Sequence, residues 1–250
     1  MIRPLIAAAV LIVAPAAAGA QAYSCAVPST LSPVHPDVAD ARNPQRLLPI
    51  GGYTLAVTWS PEYCHGHARD AGSRVECGGG NSFGWTLHGL WPDGVGKEWP
   101  QYCKATALLP PATVRRNLCA TPSAQLLQHE WSKHGTCTGL TPDGYFAKST
   151  GLYARLKWPD MARLSHERRS SAASLAEAVA AANPGLRADM IRVTADKQGW
   201  LNEIWFCLDR QLGYTRCRAD SGGVAAATAL KIASPRPSPS RGGGGRDAGG

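Results

Sequence analysis

The chain has 250 residues, with 26 Lys and Arg against 18 Asp and Glu, a formal net charge of +8, 44% hydrophobic and 18% charged residues. That composition excludes a disordered chain, and at this length a single domain can bury roughly 70% of its unfolded surface. The positive balance suits nucleic acid, acidic polysaccharide or an anionic membrane surface, and plain solubility accounts for it equally well.

A hydrophobic run from Leu5 to Ala18 follows Arg3 and ends in small residues. It reads as a secretory leader over 1–22, because it is shorter than the ~20 residues of a spanning helix and no second apolar run follows, so no membrane span is expected. All eight cysteines (25, 64, 77, 103, 119, 137, 207 and 217) lie beyond it, an even number that suits four disulfides in an exported protein. Local spacing proposes Cys64 with Cys77 and Cys207 with Cys217, and even the closer of these is too wide for a zinc clip. Residues 23–50 carry Pro28, Pro33, Pro36, Pro44 and Pro49 without apolar periodicity, which predicts an extended arm tied down by Cys25.

The folded domain is expected over 51–233. Tyr53–Trp59 has the β-branched and aromatic density of a strand, as does Phe83–Leu87 after the turn at 78–81. His88 falls at the end of that second run, before Gly89, and Trp91-Pro92 is taken to open a glycine-rich loop. Thr121-Pro122 predicts the capped start of a helix over Ser123–His134, stopped by Gly135. A second helix runs from Thr141-Pro142 to Leu156, and a third spans Ser174–Ala182 before Asn183-Pro184-Gly185. Strand character returns at Met190–Thr194 and Trp200–Leu208, and a turn at Arg210–Gly213 would let Cys207 and Cys217 cross-link two adjacent strands. From residue 234 the Pro/Ser/Gly-rich tail cannot bury a core and is expected to be disordered to 250. Helices mixed with hairpins predict an α+β domain.

Two clusters carry candidate chemistry. His129-Glu130-Trp131-Ser132-Lys133-His134 holds four ionisable groups on the predicted helix. At about 100° per residue relative to His129, Lys133 lies at about 40°, Glu130 at about 100° and His134 at about 140°, within one half of the circumference. The zincin pattern H-E-x-x-H is missed, since the second His comes at i+5. The other cluster is Thr86-Leu87-His88-Gly89-Leu90-Trp91-Pro92-Asp93. Together, a strand His and two helix His residues can supply an acid, a base and an anion-binding group.

The runs FGWTLHGLWPD (83–93) and HEWSKHGTC (129–137) closely resemble the two active-site segments of the ribonuclease T2 family, secreted enzymes that cleave single-stranded RNA without a metal. The resemblance extends to YTLAVTWSPEYC (53–64), NPGL (183–186) and LNEIWFCLD (201–209). It implies a disulfide-stapled α+β fold with a central antiparallel sheet flanked by helices, and catalytic groups on one strand and an adjoining helix. It also implies a monomer without cofactor or metal, secreted or periplasmic, acting on single-stranded RNA and not on DNA, which lacks the 2′-hydroxyl.

By the family pattern His134 is the base and His88 the acid, although the residues alone leave the order open. Lys133 and Glu130 are implied to stabilise charge on the phosphoryl oxygens; Glu130 is also placed to orient His134 as its i,i+4 neighbour. His129 matches a phosphate-binding histidine. Trp91 and Asp93 match a nucleobase site completed by an aromatic, either Trp99 or Tyr102 here. The resemblance also pairs Cys103 with Cys137, leaving Cys25 with Cys119. His35, His65, His67 and His166 match no catalytic position.

Overall fold

The computed structural model describes residues 22–78 and 80–235. The expectations of a leader and of a disordered tail fall almost wholly outside these ranges. The strands are β1 (Ala22–Ser24), β2 (Ile50–Trp59), β3 (Ser82–Phe83), β4 (Trp85–Gly94), β5 (Ser170–Ser171), β6 (Ile191–Ala195), β7 (Leu201–Leu208) and β8 (Ala229–Leu230). The α-helices are α1 (Ser60–His67), α2 (Arg74–Cys77), α3 (Pro111–Asn117), α4 (Ala124–His129), α5 (Pro142–Arg155), α6 (Met161–Ser165) and α7 (Ala172–Ala182). The fold is α+β. Its four-stranded antiparallel sheet has the order β4-β2-β7-β6, and two two-stranded pairs, β1-β3 and β5-β8, lie outside it.

Alternation sorts each strand into two faces. Leu55, Val57 and Trp59 of β2 and Ile204, Phe206 and Leu208 of β7 belong to the hydrophobic core, with Leu175 and Val179 of α7 and Tyr145, Leu152 and Tyr153 of α5. On the other face the cross-strand pairs are Thr54 with Cys207, Ala56 with Trp205 and Thr58 with Glu203. In β4 this alternation is reset. Ala56 pairs with Gly89 but Val57 pairs with Leu87, so His88 is the extra residue of a β-bulge. Trp85 and Leu87 before the bulge and Leu90 after it all enter the core. Were the strand to run through His88 in regular alternation, with no bulge, Trp91 and Asp93 would share the face of Trp85 and Leu87, since a shift of one residue exchanges the faces of a strand.

Four disulfides join Cys25 with Cys119, Cys64 with Cys77, Cys103 with Cys137 and Cys207 with Cys217. Between β1 and β2 the chain has little regular structure and is fastened at intervals. Arg115 donates to the carbonyls of Pro28 and Ser29, the Gln125 side chain binds both backbone groups of His35, and Arg46 bridges Gln101.

Several elements differ from the sequence expectations. Ser123, not Thr121, caps α4, accepting from the Leu126 amide, because the Thr121 hydroxyl is used to donate to the Leu87 carbonyl 2.8 Å away. The chain beyond His129 is not α-helix: Glu130–His134 is a π turn in which the Gly135 amide reaches the Glu130 carbonyl. A Cβ on Gly135 would overlap the Trp131 ring, so only glycine allows this turn to close on the core. β4 runs through Trp91 and Pro92 to Gly94, where a loop was expected, because β2 continues to pair with it. Helix α7 begins at Ala172, since Ser171 and Ser174 form a reciprocal capping box. Cys217 stands outside any strand; a single bridge, Leu208 with Tyr214, follows the turn after β7.

Candidate active site

A cleft of about 560 Å³ opens on the sheet face that carries Thr54, His88, Trp91, Asp93 and Trp205, and is closed on one side by His129, Glu130, Lys133 and His134. The bulge in β4 and the π turn after α4 therefore aim their side chains into the same space. The π turn matters most for the histidines. In a regular helix residues five apart are splayed, whereas a turn closed by i→i+5 bonds brings them together, and the rings of His129 and His134 lie 6.3 Å apart.

Glu130 is the buried centre of the site, 1% exposed. Its Oε2 accepts from Trp91 Nε1 at 2.9 Å and its Oε1 lies 3.5 Å from His88 Nε2. A Cβ on Gly89 would overlap this carboxylate, which is why glycine follows the bulge residue. Burial pushes the Glu130 carboxyl up to about 7, against the opposing pull of His88, the Trp91 hydrogen bond and Lys133. The expected i,i+4 role of orienting His134 is not realised: in this geometry Glu130 bonds to Trp91 and faces His88.

The two imidazoles proposed as acid and base are displaced in opposite directions. For His88 burial favours the neutral ring, but the hydrogen bond and charge of Glu203 and the charges of Glu130 and Glu76 outweigh it, raising the pKa to about 9. For His134, which is 5% exposed, burial and the neighbouring Lys133, His129 and His88 act together and hold the ring well below its ordinary value. Its Nδ1 is buried with no hydrogen-bond partner. The Trp91 ring contacts both, with centroids 5.0 Å from His88 and 5.6 Å from His134.

At the far end of the cleft, Asp93 accepts from the Thr54 hydroxyl at 2.8 Å, and burial raises its carboxyl despite that bond and Arg218. Trp99 is 44% exposed at the rim, under the Arg46 guanidinium at 4.6 Å. Tyr102 is not part of the cleft. It is 7% exposed, takes a left-handed backbone (φ 52°) and turns its hydroxyl to Asp37, because its amide is tied to the Lys133 carbonyl and its own carbonyl to Gln45. Of the two aromatics proposed to complete a base site, the cleft holds Trp99.

Sequence reasoning missed Glu203, Trp205, Arg218, Asp220 and Asp37. Glu203 is the one charged residue in the strand Leu201–Leu208, and that charge was its available signal. Arg218 donates to the Gly94 and Val95 carbonyls and pairs with Asp220, forming a wall from a segment without periodic pattern. Among the described residues, His129, Glu130 and His134 bring one potential ligand atom each within 4.8 Å, so the i,i+5 spacing does not by itself keep the histidines apart. Their donors are partly committed, His129 Nδ1 to Asp37 and Glu130 Oε2 to Trp91.

The sequence model described as Ribonuclease T2 family matches residues 50–217. The chain belongs to the ribonuclease T2 family. It is 31% identical to a probable ribonuclease of Haemophilus influenzae over 182 residues, covering 68% of this chain and 62% of that one. It is 32% identical to a ribonuclease of Aeromonas hydrophila, over 64% of this chain and 72% of the other. The structure of RNase NT in complex with 5′-AMP shares the ribonuclease T2 fold, with a TM-score of 0.55 and 19% identity over 75% of this chain and all of that one. The matched stretch contains every cleft residue from β2 to β7, while the arm before residue 50 and the Arg218–Asp220 wall lie outside it.

Proposed function

We propose that this chain is an exported, metal-independent endoribonuclease that cleaves single-stranded RNA through a 2′,3′-cyclic phosphate to a 3′-phosphate. The observation that carries the reading is the pair of imidazoles on one cleft with opposite proton affinities. RNA supplies its own nucleophile, so one group must remove the 2′-hydroxyl proton and another must protonate the departing 5′-oxygen.

Neutral His134 takes the 2′-hydroxyl proton as the oxygen bonds to phosphorus, and protonated His88 delivers its Nε2 proton as the P–O5′ bond breaks. In the second step His88 accepts a proton from water as its oxygen attacks phosphorus, and His134 returns its proton to the 2′-oxygen as the P–O2′ bond breaks. Lys133 and His129 face the phosphoryl oxygens, where charge accumulates. Glu203 keeps His88 oriented through Nδ1, leaving Nε2 for the leaving group. The base next to the cleaved bond stacks on Trp91 and meets Asp93, with Trp99 at the rim; aromatic stacking of this kind contributes roughly 1–3 kcal/mol per base.

Four disulfides among the described residues support export to an oxidising compartment, secreted or periplasmic. No helix among those residues is long and apolar enough to cross a membrane. Digestion of single-stranded RNA and DNA in excess chelator tests the reading: RNA cleavage that persists, with DNA intact, is the expected result. Loss of cleavage on chelation favours a metal-dependent hydrolase at His129, Glu130 and His134. Absence of cleavage altogether favours a cationic binding protein.

A further inference from the structure

The arm that precedes the family-matched stretch reaches the cleft at one point. Asp37 Oδ2 lies 2.7 Å from Nδ1 of His129, and both side chains are shielded, at 20% and 33% exposure. The arm is fastened on both sides of this contact: Gln125 exchanges hydrogen bonds of 2.8 and 3.2 Å with the His35 backbone, and Gln45 and Arg46 hold the Tyr102 and Gln101 backbone further on. Asp37 is therefore presented by a strap with fixed ends, and its other oxygen contact is the Tyr102 hydroxyl. The groups facing His129 from elsewhere are Lys133, His134 and Glu130 on its own helix and turn, and His88 on β4. Three of these are cationic or become so, and all of them belong to the cleft.

We propose that Asp37 is a positioning residue for His129: it accepts from Nδ1–H and so fixes the ring with Nε2 turned to the cleft, where that nitrogen takes up a proton as it binds a substrate phosphate. An imidazole free of this contact distributes its proton between both nitrogens and turns about its χ angles, whereas a carboxylate on one nitrogen fixes tautomer and ring orientation together. Burial, Lys133 and His88 hold the His129 ring below its ordinary value against the pull of Asp37; the carboxylate and an anionic phosphate at Nε2 together favour the imidazolium, whose Nε2–H donates to the anionic oxygen. The contact is supplied by residues outside 50–217, so the arm is a working part of this ribonuclease site and not only a covering. The inference rests on the ribonuclease reading of the cleft.

The test compares Asp37→Ala, Asp37→Asn and Gln125→Ala in the disulfide-bonded protein, with folding checked by circular dichroism. Three quantities are measured: imidazole ¹⁵N shifts of His129, affinity for a nucleoside 3′-phosphate, and kcat and KM on RNA. Asp37→Ala is expected to lose the single Nδ1-protonated form and to weaken nucleotide affinity and KM by about tenfold, with kcat changed little. Asp37→Asn, whose amide oxygen still accepts from Nδ1–H, restores the tautomer and part of the affinity. Gln125→Ala, which releases one anchor of the strap while Gln45 and Arg46 still hold the other, shifts all three readouts in the same direction as Asp37→Ala but less. An unchanged His129 tautomer and affinity in Asp37→Ala, or an Asp37→Asn variant that rescues neither, overturns the proposal. If the wild-type protein does not cleave RNA, the ribonuclease reading fails, while the tautomer and nucleotide affinity still decide the role of Asp37.

Discussion

His88 Nδ1 and Glu203 Oε1 lie 2.5 Å apart although their strands, β4 and β7, are not neighbours; the contact spans β2, where Thr58 donates to the same carboxylate oxygen at 3.0 Å. Trp205 Nε1 holds the other oxygen at 2.7 Å. Glu203 is thus a carboxylate with three donors. Burial alone would raise its pKa, but these bonds and the charge of His88 bring it below the ordinary value. A charged Glu203 in turn keeps His88 protonated up to about 9.

Replacing Glu203 by Gln therefore lowers the His88 pKa. A general acid works only while protonated, so activity is lost as pH rises through its pKa, and the alkaline limb of the kcat/KM profile moves to lower pH by about one unit or more. At mildly acidic pH the variant retains most of its activity. An alkaline limb that stays in place in Glu203→Gln removes this pair from the mechanism.

The acidic limb belongs to His134. Its lowered pKa keeps the base neutral below the usual value of 6.5, so activity persists into mildly acidic pH and falls only when the ring protonates. His134→Ala and His88→Ala should each reduce kcat by about 10² to 10⁴. His166→Ala, at a site remote from the cleft, should leave turnover unchanged. Steady-state kinetics on a defined oligoribonucleotide distinguish these outcomes.

Gly89→Ala places a methyl group where the Glu130 carboxylate stands. Overpacking of this kind costs about 1–3 kcal/mol, read as a lowered melting temperature, and displaces Glu130 from Trp91, with a fall in kcat. In a Glu130→Ala background the same substitution should destabilise much less, because the overlapping group is gone. Equal destabilisation in both backgrounds contradicts the packing argument.

Much of this was legible in the sequence. Thr141 caps α5, Asn183-Pro184-Gly185 ends α7, and the β-branched density of β2 announces a central strand. The cleft residues contributed by β4 and by the turn after α4 were also identifiable, since they form two dense polar clusters in the sequence. What escaped was geometry that local pattern does not encode. The bulge at His88 depends on the partner register in β2, the π turn depends on Gly135 packing against Trp131, and Asp37 reaches His129 from an arm with no periodicity. The placement of Tyr102 failed for the same reason, because it is set by the strap lying over it.

Loss of the Cys103–Cys137 bridge, by paired substitution to Ser, frees the segment between β4 and the π turn over a separation of 34 residues. The chain-entropy estimate for a loop of this size is about 3–4 kcal/mol. Thermal unfolding of the double variant should show it, along with a raised KM as Trp99 and the rim of the cleft loosen. A melting temperature equal to wild type would contradict the assignment of this bridge as a staple of the site.

Two imidazoles acting on a 2′-hydroxyl is the claim on which the mechanism depends, and a single oligoribonucleotide tests it. Its scissile position is synthesised in three forms, with a ribose, a 2′-deoxyribose and a 2′-O-methylribose, and each is incubated with excess chelator while products are followed by ³¹P NMR. A cyclic phosphate resonance that appears and then decays to a 3′-phosphate from the ribose form alone is the predicted result. A 5′-phosphate product, or cleavage of either blocked form at the modified position, would contradict it.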